Sequence, residues 1–432
     1  MTGGGLSDES FSFMSNISFE APRGMRDFYP EDMVWRNRIF DAWRTAAEHF
    51  GFQNYDACVV ESLELLQRKS GEEVSEQIYA FEDKSGRKLA LRPEMTPTLA
   101  RMVAAKQSRL PFPIKWYATA QCFRYERMTR GRKREHYQLN MDIIGSQDVL
   151  CEAEILGAAV YAMRTMGMPD EAWRIHVSSR ALLGELLAAS GIPEAQHPAV
   201  FIALDKRGKI SDEEIAALLR AEGLDEGAIE KTFTLLGVNS LDEAAALAGE
   251  NSPAIANLRD LFATATQMGY ADILMFDIAV IRGLSYYTGI VFEAFDAQRK
   301  FRAIFGGGRY DSLLALVGGQ PTPAVGMGFG DVVVGEVLRE VLGDAAPVQR
   351  SGYCIGYMTD AERPAAIALA ARLRAENERV DLSLLAQKPK HFFGKAGNSA
   401  AQFAVYLGPD DVASGVAQVK DLQTREITKI QL

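Results

Sequence analysis

The stretch from Phe123 to Gly145 constrains the fold more than any other part of the chain. It reads as two strands joined by an arginine-rich turn. Arg124, Arg127, Arg130, Arg132, Lys133 and Arg134 crowd the connection, and Leu139-Asn140-Met141-Asp142-Ile143 then alternates apolar and polar residues as a half-buried strand does. Planar guanidinium groups at this density offer multidentate donors to a triphosphate or to a nucleic-acid backbone. Glu126, Gln138 and Asp142 stand at spacings that let strands aim them one way, so the stretch looks like a phosphate clamp beside a polar pocket. Taken by itself, it is equally a solvated charged hairpin.

The rest of the composition narrows the setting. A length of 432 residues suggests roughly two to four domains, and 47% hydrophobic residues are ample for their cores. With a formal net charge of −10, any nucleic-acid contact must come from local patches such as the 124–134 turn. Cys58, Cys122, Cys151 and Cys354 are far apart and lack metal-ligand spacing, so neither a structural metal site nor a disulfide framework is expected and a reducing, cytoplasmic compartment fits. No stretch approaches the roughly 20 apolar residues that span a bilayer. The first twenty residues, Gly/Ser-rich and acidic, read as a flexible tail and not as a secretory or transit signal.

Along the chain, Arg23-Gly24-Met25-Arg26-Asp27-Phe28-Tyr29-Pro30 leads into a helix whose apolar positions Trp35, Ile39, Trp43, Ala46 and Phe50 keep helical spacing. Strand signals follow through Cys58-Val59-Val60-Glu61 and around 78–82, 88–92, 114–124 and 137–144, which predicts an antiparallel sheet with helices laid against it. Between about 170 and 265 the chain is Ala/Leu/Glu-rich, with helical patterns at 181–190, 212–222, 226–236 and 241–248 and few strand signals, and reads as a helical insertion. Strands resume at Phe276–Val280, Ile290–Phe295 and Phe301–Phe305, followed by a helix over Val332–Leu342. After a Gly-Asp-Ala-Ala-Pro linker, strand runs Tyr353–Tyr357, Val380–Leu384, Phe403–Leu407 and Val416–Lys420 alternate with a helix at 361–376, which predicts a small α/β domain.

Several motifs in this order carry a family resemblance: Arg23-Gly24-Met25-Arg26-Asp27, Leu91-Arg92-Pro93-Glu94-Met95-Thr96, the 123–145 hairpin, Arg282-Gly283-Leu284-Ser285-Tyr286-Tyr287-Thr288-Gly289, Gly306-Gly307-Gly308-Arg309-Tyr310-Asp311 and Ala324-Val325-Gly326-Met327-Gly328-Phe329-Gly330. Over about 21–432 the chain resembles histidyl-tRNA synthetases, class II aminoacyl-tRNA synthetases. The resemblance implies an α+β fold: a class II antiparallel sheet flanked by helices, a helical insertion and a C-terminal α/β anticodon-binding domain. The implied layout is a tail at 1–20, a catalytic domain at 21–169 and 266–342 interrupted by the insertion at 170–265, a linker at 343–350 and the anticodon-binding domain at 351–432. It further implies a cytoplasmic homodimer, with L-histidine, ATP with Mg2+, and histidine tRNA as partners.

The chemistry so implied is attack of the histidine carboxylate on the α-phosphorus of ATP, which needs cations to hold two anions together. By resemblance, Arg124 contacts the α-phosphate and the substrate carboxylate, and Arg282 stands close to the α-phosphate as an extra catalytic cation. ATP binding falls to Arg124, Glu126 on the adenine edge, Arg132 on the terminal phosphates, His136 stacked on adenine, with Tyr137 as its neighbouring candidate, and Arg309. Histidine binding falls to Glu94 on the imidazole, to Met95, to Thr96, Gln138 and Asp142 near the ammonium, to Arg124 and Arg282, and to Tyr286, Tyr287 and Tyr310 closing the ring pocket. Outside this context a tyrosine pair is more often core than ligand. The glycines at 306–308 allow close backbone approach to a ligand, and alone they serve equally as a turn.

Three positions depart from the family pattern. Ser285 stands where an Asp is usual, Cys58 where the first class motif has a proline at the dimer interface, and Val333 where the third motif ends in an arginine on the γ-phosphate. Either Arg309, Arg132 or another residue substitutes for that arginine, or ATP binding is weaker. The turn Met128-Thr129-Arg130-Gly131-Arg132 also differs from the Arg-Pro-Gln opening common in bacterial members, in a loop that in the family approaches the tRNA acceptor end. Lys388, Lys390, His391, Lys395 and Lys420 form a modest basic set in the C-terminal unit, suited to phosphates and equally to solvated surface. Ser285 and Val333 lean toward a competing class, the synthetase-like regulatory subunit of ATP phosphoribosyltransferase, which keeps the fold without charging tRNA. The arginines and the anticodon-like tail lean toward the enzyme.

Overall fold

The alternation between Ile114 and Ile144 builds a long antiparallel hairpin, Ile114–Phe123 against Glu135–Ile144, with Ile114 opposite Ile144 and Phe123 opposite Glu135. The computed structural model describes residues 18–67, 77–207, 210–249, 251–281, 286–343 and 350–432. These fall into two units that part between Asp344 and Ala345. The strands of the first unit are, in chain order, β1 (Gln53–Asn54), β2 (Val60–Ser62), β3 (Tyr79–Glu82), β4 (Lys88–Leu91), β5 (Ile114–Phe123), β6 (Glu135–Ile144), β7 (Trp173–Ser179), β8 (Leu274–Phe276), β9 (Ile290–Asp296), β10 (Phe305–Arg309) and β11 (Ala324–Gly330). One sheet runs β1-β5-β6-β11-β10-β9-β7-β8, antiparallel except at its two edges, where β1 pairs with β5 and β7 with β8 in parallel. A small antiparallel sheet, β2-β4-β3, stands beside it.

One face of the large sheet is closed by helices. Pro30–His49 starts with proline, whose missing amide is harmless in a first turn, and with Glu31 and Asp32, which suit the positive helix end. Its buried stripe of Trp35, Ile39, Ala42, Trp43 and Ala46 repeats at helical spacing. The Trp43 ring lies 5.4 Å from Phe329 of β11, and Phe40 lies 5.2 Å from Tyr137 of β6. Removing so large a buried ring as Trp43 costs about 3–5 kcal/mol, which makes it a main fastening of helix to sheet. Successive strand residues point to opposite faces, so Tyr137, Leu139 and Met141 of β6, with Met327 and Phe329 opposite them on β11, form the helix side. The other face carries His136, Gln138, Asn140 and Asp142, and the β11 partners of the last three are glycines.

Three expectations need correction, the first being the strand expected at Phe276–Val280, which lies at Leu274–Phe276 because the chain turns at 277–280. The Ala/Leu/Glu-rich region 170–265 is helical over most of its length, with Arg180–Ala189, Asp212–Ala221, Glu226–Leu235, Leu241–Ala248 and Pro253–Gln267 each capped by the side chain of the preceding Ser or Asp. Yet it also contains β7, which pairs with β9 along its whole length. The strand expected at Phe301–Phe305 lies instead at Phe305–Arg309, so the glycine run 306–308 is neither turn nor loop but the middle of the sheet. A methyl on Gly307 would sit 2.1 Å from the Gly326 carbonyl oxygen and 2.7 Å from Phe292, which gives the physical reason for glycine there.

The second unit is an α/β layer structure, as expected. Strands β12 (Tyr353–Tyr357), β13 (Val380–Leu382), β14 (Phe403–Leu407), β15 (Val416–Asp421) and β16 (Ile427–Gln431) lie in the order β13-β12-β14-β15-β16. The first three are mutually parallel and therefore need cover on both faces. Helix Arg363–Ala375 packs Leu369 and Leu373 with Ile355 and Val405, while Pro389–Asn398 packs Phe392 with Cys354 and Ala404 on the alternate positions. Of the expected tail at 1–20, residues 1–17 lie outside the described residues, as do 344–349 of the expected linker.

Candidate active site

The sheet face away from the helices opens into a cavity of about 630 Å³. The sheet face is cleared by period-two geometry: Gly326, Gly328 and Gly330 of β11 stand opposite Asp142, Asn140 and Gln138 of β6, and of these Gly328, Gly330 and Gln138 line the cavity. A methyl on Gly328 would meet the Gln138 amide at 2.5 Å, and one on Gly326 would meet Asp142 Oδ1 at 2.0 Å. The glycines thus give up side-chain volume so that two polar side chains can lie over the sheet.

At one end of this face, outside the cavity lining, sits a buried nest of acids and phenols. Glu94, 4% exposed, follows β4, and Asp142, 1% exposed, lies on β6. The Tyr286 hydroxyl donates to Glu94 Oε2 at 3.2 Å, and the Tyr310 hydroxyl donates to Asp142 Oδ1. The rings of Tyr286, Tyr287 and Tyr310 pack in one cluster, with centroids 4.9 Å and 5.9 Å apart. They are core residues, and the hydroxyls of Tyr286 and Tyr310 reach the two carboxylates. Burial pushes the Asp142 carboxyl up to about 7, only partly countered by the Tyr310 hydroxyl. Burial, followed by the nearby Asp142 charge, raises the phenols of Tyr55 and Tyr310 well above their ordinary range. Asp142 Oδ2 and the Tyr55 hydroxyl are buried with no hydrogen-bond partner among the described residues. Orphaned acceptors of this kind are what a protonated amine would satisfy. Thr96 opens the helix Thr96–Lys106 beside this nest and is nearly buried.

The other end is cationic. Arg124, Arg132, Lys133, Arg299 and Arg302 line the cavity, with His136 and Gln138 between them and the nest. Asp142 is four residues along β6 from Gln138, about 13 Å at about 3.3 Å per residue. Arg124 hydrogen-bonds the Pro93 carbonyl at 2.9 Å, adjoining Glu94. Glu126 pairs with Arg132 at 2.8 Å. Burial, reinforced by Arg124, pulls the His136 imidazole down to about 3, so the ring is neutral and able to lie flat against an aromatic base.

Several residues assigned to the site from their motifs lie elsewhere. Arg309 does not line the cavity: its guanidinium grips buried Glu152 through Nε at 2.7 Å and Nη2 at 2.6 Å, and also donates to the carbonyls of Ser146 and Asp148. Those bonds consume the fork that a phosphate would need. The Met95 side chain is fully buried with Ala118, Ala120 and Cys122, its sulfur 3.3 Å from Arg92, and so belongs to the core. Tyr137 faces the helix side, where the Arg36 guanidinium sits 4.1 Å over its ring, which leaves His136 as the stacking candidate. Arg282 and Ser285 lie outside the described residues. Cys58 is exposed, with its sulfur 3.7 Å from Arg101. Sequence reasoning misses Tyr55 and Arg302. Neither sits in a motif, and only the folded sheet brings them to the site. In the second unit Lys388, Lys390, His391 and Lys395 are exposed at and along the helix Pro389–Asn398, and Lys420 lies 5.5 Å over Phe393.

Residues 24–330 match the family described as histidyl-tRNA synthetase, and residues 347–432 match the anticodon binding domain. The chain is 42% identical to a chloroplastic/mitochondrial histidine–tRNA ligase of Arabidopsis thaliana, covering 97% of this chain and 86% of that one. It is 39% identical to a histidine–tRNA ligase of Opitutus terrae, covering 96% of each. Among solved structures, histidyl-tRNA synthetase from Nostoc superposes with a TM-score of 0.80 at 22% identity, covering 96% of this chain and 97% of that one. An ATP phosphoribosyltransferase regulatory subunit/histidyl-tRNA synthetase from Bacillus halodurans superposes at 0.75 with 22% identity, covering 91% and 99%, a likeness of fold.

Proposed function

The chain belongs to the histidyl-tRNA synthetase family, and from that premise we propose how its residues carry out the reaction. It is an aminoacyl-tRNA ligase, which activates L-histidine with ATP to histidyl-adenylate and transfers the histidyl group to the 3′-terminal adenosine of histidine tRNA. The single observation that carries the assignment of parts is the polarity of the site: a buried acid and phenol nest toward one end of the sheet face and a guanidinium cluster that includes Arg124 toward the other, with His136 and Gln138 between them.

In the first step a histidine carboxylate oxygen forms a bond to the α-phosphorus while the bond from that phosphorus to the bridging oxygen breaks and pyrophosphate leaves. In the second, the 3′-hydroxyl of the tRNA attacks the acyl carbon and AMP leaves. Asp142 and the Tyr55 and Tyr310 hydroxyls receive the ammonium, Glu94 and Tyr286 the imidazole, with Thr96 and Gln138 alongside. Arg124 draws the carboxylate and α-phosphate together, Glu126 takes the adenine edge once Arg132 turns to the phosphates, and His136 stacks on the base. Magnesium enters with the nucleotide, bound to its phosphates. Arg282 adds a second cation at the α-phosphate, a role that rests on the resemblance alone. The lysines along Pro389–Asn398 meet the tRNA backbone, and catalytic units pair as a homodimer in the cytoplasm. Among the described residues no helix is long and apolar enough to cross a membrane.

Histidine-dependent exchange of pyrophosphate into ATP, run without tRNA, tests the assignment. Exchange that depends on histidine and is lost in Arg124→Ala is expected. Histidine binding without exchange would instead favour the regulatory-subunit class, which the ligase relatives over the whole chain do not support.

A further inference from the structure

The cationic end of the cavity has an apolar patch where a triphosphate would finish. Val333, on the first turn of helix Asp331–Leu342, lines the cavity there. The acid beside it is turned away: Asp331 pairs with Arg26 at 2.9 Å and accepts the Tyr137 amide at 2.8 Å. No side chain on this helix start therefore supplies positive charge to the cavity. Arg309, bound to Glu152, lies outside the cavity.

Arg302 reaches that corner from a different element, the segment between β9 and β10. A methyl on Gly131 would sit 3.4 Å from Val333 Cγ2 and 3.9 Å from Arg302 Cδ, so both side chains converge on one point beneath the turn. Gly131 has a left-handed φ of +76°, suited to glycine, and leaves that point open. The segment carrying Arg302 is anchored. The Asp296 carboxylate accepts the amides of Lys300 and Phe301 at 2.9 Å each, Arg130 sits 4.5 Å over the Phe301 ring, and Lys300 pairs with Glu340. Arg130 in turn pairs with Glu336, and the Gly131 amide donates to that same carboxylate. Turn, helix and segment are thus tied together beside the Arg302 side chain.

We infer that Arg302 grips the terminal phosphates of ATP, supplying from the β9–β10 segment the cation that Val333 does not. The inference deepens the adenylate-forming reading and rests on it for the nucleotide's orientation. A planar fork on a pinned segment holds the β- and γ-phosphates in line, which is what expulsion of pyrophosphate requires.

Titration calorimetry of the full chain with MgATP and, separately, with AMP tests it. Arg302→Ala is expected to weaken ATP by about 10- to 100-fold, the range for a lost charge-assisted bond, and to leave AMP within about twofold. Arg302→Lys should fall between, and adding Val333→Arg to Arg302→Ala should recover much of the ATP affinity. An ATP affinity unchanged in both Arg302 variants, or equal losses for ATP and AMP, would overturn the inference. If the alanine variant does not fold, Arg302→Gln takes its place in the same comparison. Wild-type protein that fails pyrophosphate exchange while these ATP-selective losses appear would sink the adenylate reading and leave the phosphate grip standing.

Discussion

Gly326→Ala puts the most specific geometric feature of the site under load. The added methyl would lie 2.0 Å from Asp142 Oδ1, 2.9 Å from Asp142 Cγ and 3.1 Å from Tyr310 Cε1. Nothing can relax cheaply, because that oxygen is buried and holds the Tyr310 hydroxyl, so the carboxylate must swing aside and break the bond. Overpacking accounts for about 1–3 kcal/mol and the broken buried bond for about 1–3 kcal/mol more. The expected result is a fall of several degrees in the thermal midpoint and a loss of histidine affinity of at least tenfold, with ATP affinity little altered. Asp142→Ala removes the obstacle, so a double-mutant cycle should show Gly326→Ala to be much milder in that background, with about 1–3 kcal/mol of coupling. Equal effects of Gly326→Ala with and without Asp142 would refute the idea that this glycine exists to house the carboxylate.

Asp142 also predicts a pH dependence. With its carboxyl at about 7 in the free protein, binding an ammonium below that pH requires first releasing a proton, so histidine affinity should weaken by about tenfold per unit below about pH 7. Asp142→Asn should lose this component and retain only the titration of histidine itself. For stability the sign is reversed: the native state keeps a proton that the unfolded chain has lost above about pH 4, so this group's contribution is full at low pH and is lost as pH rises through about 7, measurable by denaturant titration at several pH values. Arg309→Ala strands the buried Glu152 carboxylate and should destabilise the catalytic unit by about 3–5 kcal/mol, without a selective change in the KM for ATP in the fraction that folds. Arg282→Ala should lower the kcat of pyrophosphate exchange by about 100- to 1000-fold with a much smaller effect on histidine Kd. Equal losses in rate and binding would remove its catalytic role.

The parts of the fold that a local pattern encodes are readable in the sequence. The 114–144 hairpin alternates cleanly, helix Pro30–His49 shows its stripe, and both lie where expected. Strand β10 is not readable, because three successive glycines carry neither β propensity nor periodicity. The reason for them, a neighbouring backbone 2.1 Å from any methyl, exists only after the sheet forms. Helix Leu150–Thr165 is hidden for the opposite reason. Being buried on nearly every side, it lacks the polar face that marks an amphipathic helix. Strand β7 is masked by the helix-forming composition around it. Of the proposed site, Glu94, Gln138 and Asp142 are the residues that motif and alternation single out. Arg309 misleads because its partner Glu152 is 157 residues away, and Arg302 and Tyr55 are invisible because tertiary structure alone delivers them.

If one sheet face both selects histidine and passes it to tRNA, aminoacylation is the most direct measurement of it. Purified full chain, MgATP and a mixed tRNA pool would be offered labelled amino acids one at a time, with the charged tRNA identified by hybridisation. ATP-dependent esterification of histidine alone, on histidine tRNA alone, is predicted. Adenylate formation without transfer, or charging with a different amino acid, would contradict the account.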